Sequence, residues 1–253
     1  MKRIFFLLLV LTLLPLCGMA EAPLTFADDL NGVYLWPEGA SEADATYVYR
    51  YAYPQMTEDN AAAQAFNLIY QYEVSDALGY ECPMIASDRP AELGQMQVDI
   101  TYSITHQSAE ALSIRIDKKS TEGGVVTHHD VKGHTFSLTG AFSGMITSLP
   151  YLLDQLEPGE TDEWLINRQT AKADTCVREL VWMLIEQDMK APDSPIYPEF
   201  TEEDLAWSFY PEEDFFLDEA GNFVFFLQPG VIAPAEYGPF CYTLTLEELL
   251  DEI

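Results

Sequence analysis

A strict alternation of apolar and polar residues in the middle of the chain constrains its fold more than any other feature. Between residues 97 and 105, every second position is apolar: Val98, Ile100, Tyr102 and Ile104. After a short polar turn, the same period of two returns at Leu112, Ile114 and Ile116. Because successive side chains of a strand point to opposite faces, the pattern predicts a two-strand meander with one face on a core.

The remaining elements are predicted in clusters rather than in strict alternation of strand and helix. Further strands are predicted at residues 46–53, 125–138, 215–217, 223–227 and 240–243. Helices are predicted at residues 57–78 and 161–189, and a closing helix begins with a capping box at Thr245 and Glu248. This order favours an α+β fold: a largely antiparallel sheet of about five to seven strands, helices packed mainly on one face, and two intimately joined subdomains.

The beginning of the chain has the pattern of a secretory leader. A short basic start precedes an apolar run over residues 4–16, and Ala20 and Ala22 are small residues of the kind that a signal peptidase recognises. Residues 1–22 are therefore predicted to be a signal peptide, and the protein is expected to be extracellular or periplasmic. Cys17 leaves a lipoprotein as an alternative, which the bulky residue before it disfavours. No later segment approaches the roughly 20 apolar residues of a membrane span.

Three further parts are predicted after the leader. Residues 23–45 are mixed and acidic, and they are predicted to be a tether. Residues 46–140 are predicted to form an N-terminal α+β subdomain, and residues 141–253 a C-terminal one.

The chain is strongly acidic. It has 12 Lys and Arg against 42 Asp and Glu, a net charge of −30, and loss of the leader's two basic residues and one acidic residue makes this −31. Such a charge disfavours nucleic acid and anionic lipid, and it attracts cationic partners. A strongly acidic surface can also be explained by the solubility that it gives a protein. The charge is therefore compatible with a basic partner but does not prove one.

The cysteines after the leader are Cys82, Cys176 and Cys241. An odd number allows at most one disulfide, and the sequence leaves open whether any two of them pair. The absence of a C-x-x-C pair argues against a thiol redox site or a zinc ribbon. The helical pattern around Cys176 and the strand pattern around Cys241 favour small buried hydrophobic residues there.

The sequence contains no catalytic motif, and we predict neither a catalytic residue nor a cofactor. His128, His129 and His134, close to Asp130, are weak candidates for metal ligands. On a strand, His128 and His134 share one face and His129 points to the other, so a common metal ion would require a bend near Gly133. We therefore predict no metal site. A metal-dependent envelope hydrolase, or an enzyme similar to a deacetylase, remains an alternative function.

The aromatic-rich end of the chain is the predicted ligand surface. An irregular segment, residues 228–238, follows the strand predicted at residues 223–227. Loops at the ends of sheets carry binding function more often than the sheets do. The predicted contacts are Pro229 and Tyr237 with the nearby acids Glu236 and Asp214; core packing and a plain turn are the alternative for this segment.

Three groups of segments, in this order, resemble the extracellular domain pair shared by lysozyme-sensing anti-sigma factors and some peptidoglycan deacetylases. They are residues 47–67 with Pro54; residues 111–114, 122–124 and 134–140; and residues 221–226, 233–238 and 242–244. The sequence departs from the family pattern at Val125 and Val126, where the family has Ala-His, and at Ala235, where it has tyrosine.

The resemblance implies a non-enzymatic binding module of the cell envelope. In one branch of this family the ligand is lysozyme, so a cationic protein such as lysozyme is the expected partner, and a cell-wall glycan is the alternative. The resemblance covers neither the membrane helix of the anti-sigma factors nor the catalytic domain of the deacetylases. We therefore expect a stand-alone extracellular module.

Overall fold

The larger sheet is built from strands in the order in which they occur in the chain. The computed structural model describes residues 24–140, 143–157 and 159–252. Its five-stranded sheet contains β1 (Phe26–Trp36), β2 (Tyr47–Met56), β3 (Met96–Gln107), β4 (Ala111–Glu122) and β5 (Val125–Ser137), side by side in that order. All neighbouring strands are antiparallel except β2 and β3, which are parallel because a helical segment carries the chain back between them.

The first strand corrects the prediction of a tether. The predicted signal peptide lies outside the described residues, but residues 26–36 of the predicted tether form β1 and pair with β2. Leu30, Tyr34 and Trp36 pack against the core of this sheet. The pairing register shifts between Ala27 and Leu30, which breaks the alternation of apolar and polar residues. The sequence therefore lacks the period of two that would have predicted this strand.

One long helical segment covers one face of the five-stranded sheet. It consists of α1 (Ala61–Asp76), a π turn (Ala77–Glu81) and α2 (Cys82–Asp88). The side chain of Asn60 caps α1 by accepting a hydrogen bond of 2.8 Å from the Ala63 N–H. On its inner side, Phe66 packs against Phe136 of β5 with ring centroids 4.6 Å apart.

The π turn ends two residues before a proline, Pro83. Pro83 has no N–H, and within an α-helix its ring would clash with the carbonyl of Gly79, four residues earlier. At the end of the wider turn, the Cys82 N–H bonds to the Ala77 carbonyl five residues back. The chain thereby continues in a helical direction through a residue that would otherwise end the helix.

A smaller sheet and the remaining helices are formed by the second half of the chain. The sheet contains β6 (Phe215–Leu217), β7 (Phe223–Leu227) and β8 (Phe240–Leu244), all antiparallel. The helices are α3 (Leu149–Leu152), α4 (Glu163–Met189), α5 (Glu202–Ser208) and α6 (Leu246–Glu252). Every residue of β7 is buried, because Phe223, Phe225 and Leu227 share a core with α4, whereas Val224 and Phe226 face the larger sheet at Val131.

The two sheets meet through close backbone contacts. The Leu217 N–H of β6 donates a 2.9 Å hydrogen bond to the buried Ser113 hydroxyl of β4, which is 2.8 Å from the Thr135 hydroxyl of β5. At Gly133 of β5, a Cβ atom would lie 1.6 Å from the Phe215 carbonyl oxygen. The molecule thus has four layers in the order helix, sheet, sheet, helix.

The structure confirms the predicted α+β class with a largely antiparallel sheet. The hairpin of β6 and β7 has the predicted bounds, and Thr245 and Glu248 form the predicted capping box. Cys82, Cys176 and Cys241 are all free thiols; Cys241 is exposed, so the prediction of a buried residue is wrong there. Among the described helices, none has the length and apolar character to cross a membrane.

Candidate functional site

The three histidines considered as metal ligands have separate partners. His128 Nε2 lies 2.9 Å from Asp130 Oδ1, and His129 Nε2 lies 2.7 Å from Asp117 Oδ1 on the opposite face of β5. His134 Nδ1 lies 3.2 Å from the Tyr70 hydroxyl oxygen. The described residues contain no group of three His, Cys, Asp or Glu side chains arranged to hold a metal ion.

The four predicted ligand contacts belong to two segments, one before β6 and one after β7. Glu236 and Tyr237 lie in a 3₁₀ turn (Ala235–Tyr237), where Tyr237 is 60% exposed. Asp214 is buried, accepts a 2.8 Å hydrogen bond from the Tyr210 N–H, and lines a cleft. Pro229 directly follows Gln228, which lines the same cleft. A ligand contact at any of these four residues stays a prediction.

The cleft has a volume of about 670 Å³ and opens between the helical segment and the edge strand β5. Its floor is the helix-facing side of the larger sheet, from β5 across Ile116 and Ile100 to Tyr53 and Tyr49 of β2. The π turn forms one wall, and residues 212–214 with Gln228 form the other. Its size falls within the range of about 300–1,000 Å³ that is usual for ligand pockets.

Carboxylates outnumber basic groups around this cleft. The helical wall contributes Glu73, Asp76 and Glu81, the opposite wall contributes Glu212, Glu213 and Asp214, and β5 contributes Asp130. The only lysines among the lining residues are Lys118, which is paired with Glu81, and Lys132, whose Nζ lies 3.9 Å from Glu73 Oε1. This excess of negative charge favours a cationic ligand group.

Buried hydroxyl groups and a histidine line the inner end of the cleft. Burial raises the pKa of Tyr53, and its hydrogen-bonded neighbours Tyr49 and Glu73 raise it further, so this hydroxyl stays protonated. Burial lowers the pKa of His134, although the Glu73 carboxylate opposes this effect. The inner end is therefore polar but uncharged apart from Glu73 and Lys132.

Glu212 is the least satisfied of the lining carboxylates. Its Oε2 accepts a 3.3 Å hydrogen bond from the Leu149 N–H, whereas its buried Oε1 has no hydrogen-bond partner among the described residues. Burial raises the pKa of Glu212 to about 7, and the nearby Asp174 carboxylate adds to this effect. A cation bound beside Glu212 would stabilise its ionised form.

The unpaired carboxylate predicts that Glu212→Gln stabilises the protein at alkaline pH. Because the folded pKa of Glu212 lies above its ordinary value, wild-type stability is lost as the pH rises toward and through 7. The amide keeps an acceptor for the Leu149 N–H and removes the charge. We expect a gain of about 1–2 kcal/mol at pH 8, reduced from the full electrostatic value by solvent access, and little change at pH 5.

Urea unfolding at the two pH values measures this gain. The matched control is Glu213→Gln, a substitution at the exposed neighbouring residue, which should change stability by less than about 0.5 kcal/mol at either pH. An equal gain for both variants at pH 8 would assign the effect to net charge instead of to burial of Glu212.

The sequence could not reveal this cleft, because its walls come from segments that are far apart in the chain. Glu81, Asp130 and Glu212 belong to three separate segments, and no local spacing connects them. One signal was available: residues 51–88 contain six Asp and Glu and no Lys or Arg. That run marks the acidic helical wall, but it does not indicate what lies opposite.

Comparison with known proteins adds the fold and little more. A member of the DUF3298 family from Bacteroides fragilis matches with a TM-score of 0.51 and 17% identity, over 88% of this chain and 91% of that chain. A DUF3298 family protein from Pseudomonas aeruginosa matches with a TM-score of 0.49 and 13% identity, over 90% of this chain and 93% of that chain. No family model and no curated protein match the sequence.

The first of these likenesses shows a shared fold alone, because its identity is low. DUF3298 denotes a domain of unknown function. Neither neighbour is described as an anti-sigma factor or a deacetylase, so the resemblance to those two classes stays a prediction.

Proposed function

We propose that this chain is an exported, non-enzymatic binding module that takes a cationic protein, with a basic side chain of the partner entering the cleft beside Glu212. The observation that carries the proposal is Glu212, which lines a cleft where carboxylates outnumber lysines and whose buried Oε1 has no hydrogen-bond partner among the described residues. An ammonium or guanidinium group in the cleft would pair with the Glu212 carboxylate and offset its desolvation.

The charge of the whole chain supports the same kind of partner. A net charge of −30 accelerates association with a basic protein, and the cleft provides a defined binding site for it. Lysozyme fits this description, and the sequence resemblance to lysozyme-sensing domains names it independently. It is therefore the first partner to test.

Two titratable groups that line the cleft take part in the fold. The Asp214 carboxylate accepts from the Tyr210 N–H, and His134 lies beside the Tyr70 hydroxyl. Each of these groups has a structural partner within the fold. These contacts give Asp214 and His134 a role that does not require catalysis.

The direct test is calorimetric titration with lysozyme at physiological salt and at several-fold higher salt. We expect saturable binding that survives the added salt. In the double variant Asp76→Asn/Glu213→Gln, which removes two exposed carboxylates at the rim of the cleft, the affinity should fall about fivefold to tenfold and its salt dependence should weaken.

The control removes the same charge elsewhere. Asp193 and Glu199 are exposed and do not line the cleft, so Asp193→Asn/Glu199→Gln should change the affinity by less than about twofold, since charges beyond about 8 Å are screened. Equal losses in both double variants would reduce the interaction to nonspecific attraction, and absence of binding would refute the proposal for lysozyme.

A cell-wall glycan is the second candidate, favoured by one exposed aromatic pair. Trp207 and Tyr210 are 77% and 51% exposed, and the Tyr210 hydroxyl donates a 3.1 Å hydrogen bond to the Trp207 carbonyl. Exposed aromatic faces of this kind can stack on sugar rings. Binding of peptidoglycan fragments that is lost in Trp207→Ala, without binding of lysozyme, would favour this second function.

A further inference from the structure

The outer side of the helical segment carries a row of exposed apolar side chains. Leu68, Tyr72, Tyr80 and Met84 are 48%, 68%, 66% and 46% exposed, respectively. They point away from the sheet, because the buried residues of α1, such as Phe66 and Tyr70, occupy the opposite side of the helix. We call Leu68, Tyr72, Tyr80 and Met84 the helical stripe. Exposed apolar side chains clustered on one side of a helix mark interaction sites.

The π turn keeps the helical stripe on one side. In a regular α-helix, residues four apart drift by about 40°, so Met84 would lie about 120° around the axis from Tyr72. The wider turn at Ala77–Glu81 takes more residues per turn and offsets much of this drift. Tyr80 and Met84 therefore continue the row that Leu68 and Tyr72 begin.

The residues of the helical stripe are of the types found at binding surfaces. Tyrosine supplies a large amphipathic contact area at a small entropic cost, and it is frequent among the residues that dominate binding energy. Methionine adapts its shape to different partners. Scattered exposed apolar residues need no explanation, but the helical stripe consists of two pairs four residues apart, Leu68 with Tyr72 and Tyr80 with Met84, and the exposed carboxylate of Asp76 lies between the pairs.

The charge around the helical stripe determines the kind of partner that fits it. Between residues 61 and 88 there are four carboxylates and no Lys or Arg. Glu73 and Glu81 have lysine neighbours, whereas Asp76 and Asp88 have no ion-pair partner among the described residues. A second copy of the same acidic surface would be repelled, and a basic surface would be attracted.

We infer that the helical stripe is a docking surface for the apolar side chains of a cationic partner, next to the cleft that takes its basic group. This inference deepens the proposed function and rests on it only for the sign of the partner's charge. It adds that the partner's contact surface is amphipathic, so charge alone is not sufficient for tight binding.

Two peptides of equal length and charge test the inference. One has Leu and Lys arranged for an amphipathic helix, and the other has Ala in place of each Leu, which keeps the helical tendency and lowers the apolar area. The wild-type protein should bind the Leu/Lys peptide at least about tenfold more tightly than the Ala/Lys peptide. In Tyr72→Ser/Tyr80→Ser this preference should fall to about twofold or less, while binding of the Ala/Lys peptide stays unchanged.

Trp164→Ser is the control, because it removes an aromatic side chain of similar exposure (67%) outside the helical stripe and the cleft, and it should keep the preference. Urea unfolding of each variant verifies that the fold is retained. A preference that is absent in the wild type, or that persists in the double variant, would overturn the inference. Dimerisation of the wild type that the double variant abolishes would also overturn it, since the occupant would then be a second copy.

The outcomes separate this inference from the proposed function. A chain that prefers the Leu/Lys peptide but does not bind lysozyme would contradict lysozyme as the partner and leave the docking surface standing. If the chain bound lysozyme through the cleft but showed no difference between the peptides, lysozyme would be supported as the partner and the docking surface would be contradicted.

Discussion

Gly133→Ala should destabilise the protein by at least about 3 kcal/mol or prevent its folding. The added methyl carbon would lie 1.6 Å from the Phe215 carbonyl oxygen, well inside van der Waals contact. The obstacle is backbone, so no side-chain rotation can relieve it. Relief would require β5 and β6 to separate, which would weaken the hydrogen bond from the Leu217 N–H to Ser113 and the contacts of Val131 with Phe216.

Urea unfolding of purified Gly133→Ala, together with the yield of soluble protein, measures this effect. Gly79→Ala is the matched control, because a Cβ at Gly79 has no heavy atom within 4 Å and the residue lies in a helical turn. We expect its stability to stay unchanged or to rise by up to about 1 kcal/mol. A loss below about 1 kcal/mol for Gly133→Ala would mean that the sheets do not approach each other as closely as described.

Gln228→Leu should cost about 2–4 kcal/mol of folding stability. The Gln228 amide bonds to one residue of the edge strand twice: its Oε1 accepts from the Val131 N–H at 2.9 Å, and its Nε2 donates to the Val131 carbonyl at 2.7 Å. Val131 is buried, so leucine would leave both of its backbone groups without a partner. The size of the side chain changes little, and therefore loss of packing contributes little to the expected effect.

The same substitution at Gln155 is its control. The Gln155 Oε1 is buried and has no hydrogen-bond partner among the described residues, so Gln155→Leu removes an unsatisfied group. We expect it to be neutral or stabilising in the same unfolding experiment. If both variants lost stability equally, the pairing of Gln228 with Val131 would have no special role.

The sequence predicts elements well where one periodic pattern covers the whole element. The alternation from Val98 to Ile104 marks β3, and the turn between two runs of aromatic residues marks the hairpin of β6 and β7. It fails at β1, where a shift in register breaks the alternation, and at the π turn, where Pro83 alters a helix whose apolar pattern continues. Both failures occur where the backbone departs from a regular period.

The candidate site was harder to predict than the fold. The sequence reasoning chose residues 228–238 because loops often bind, but only Asp214 and the neighbour of Pro229 reach the cleft. The cleft depends on how the 212–214 segment packs against β5 and the π turn, and that packing is set by contacts between distant segments. The contact of Ser113 with Leu217 spans 104 residues, and that of Val131 with Gln228 spans 97 residues.

These separations have a consequence for the order of folding. The five strands of the larger sheet are neighbours in chain order, so the sheet can form while residues 215–244 are still unfolded. Until the smaller sheet docks, the side of the larger sheet that faces it is exposed to water. On β4 this side carries the polar residues Ser113, Arg115 and Asp117, whereas the helix-facing side carries leucine and isoleucine, so exposure to water is tolerated. We expect the smaller sheet to dock late, as a kinetic step whose rate is set by the search of a long intervening segment.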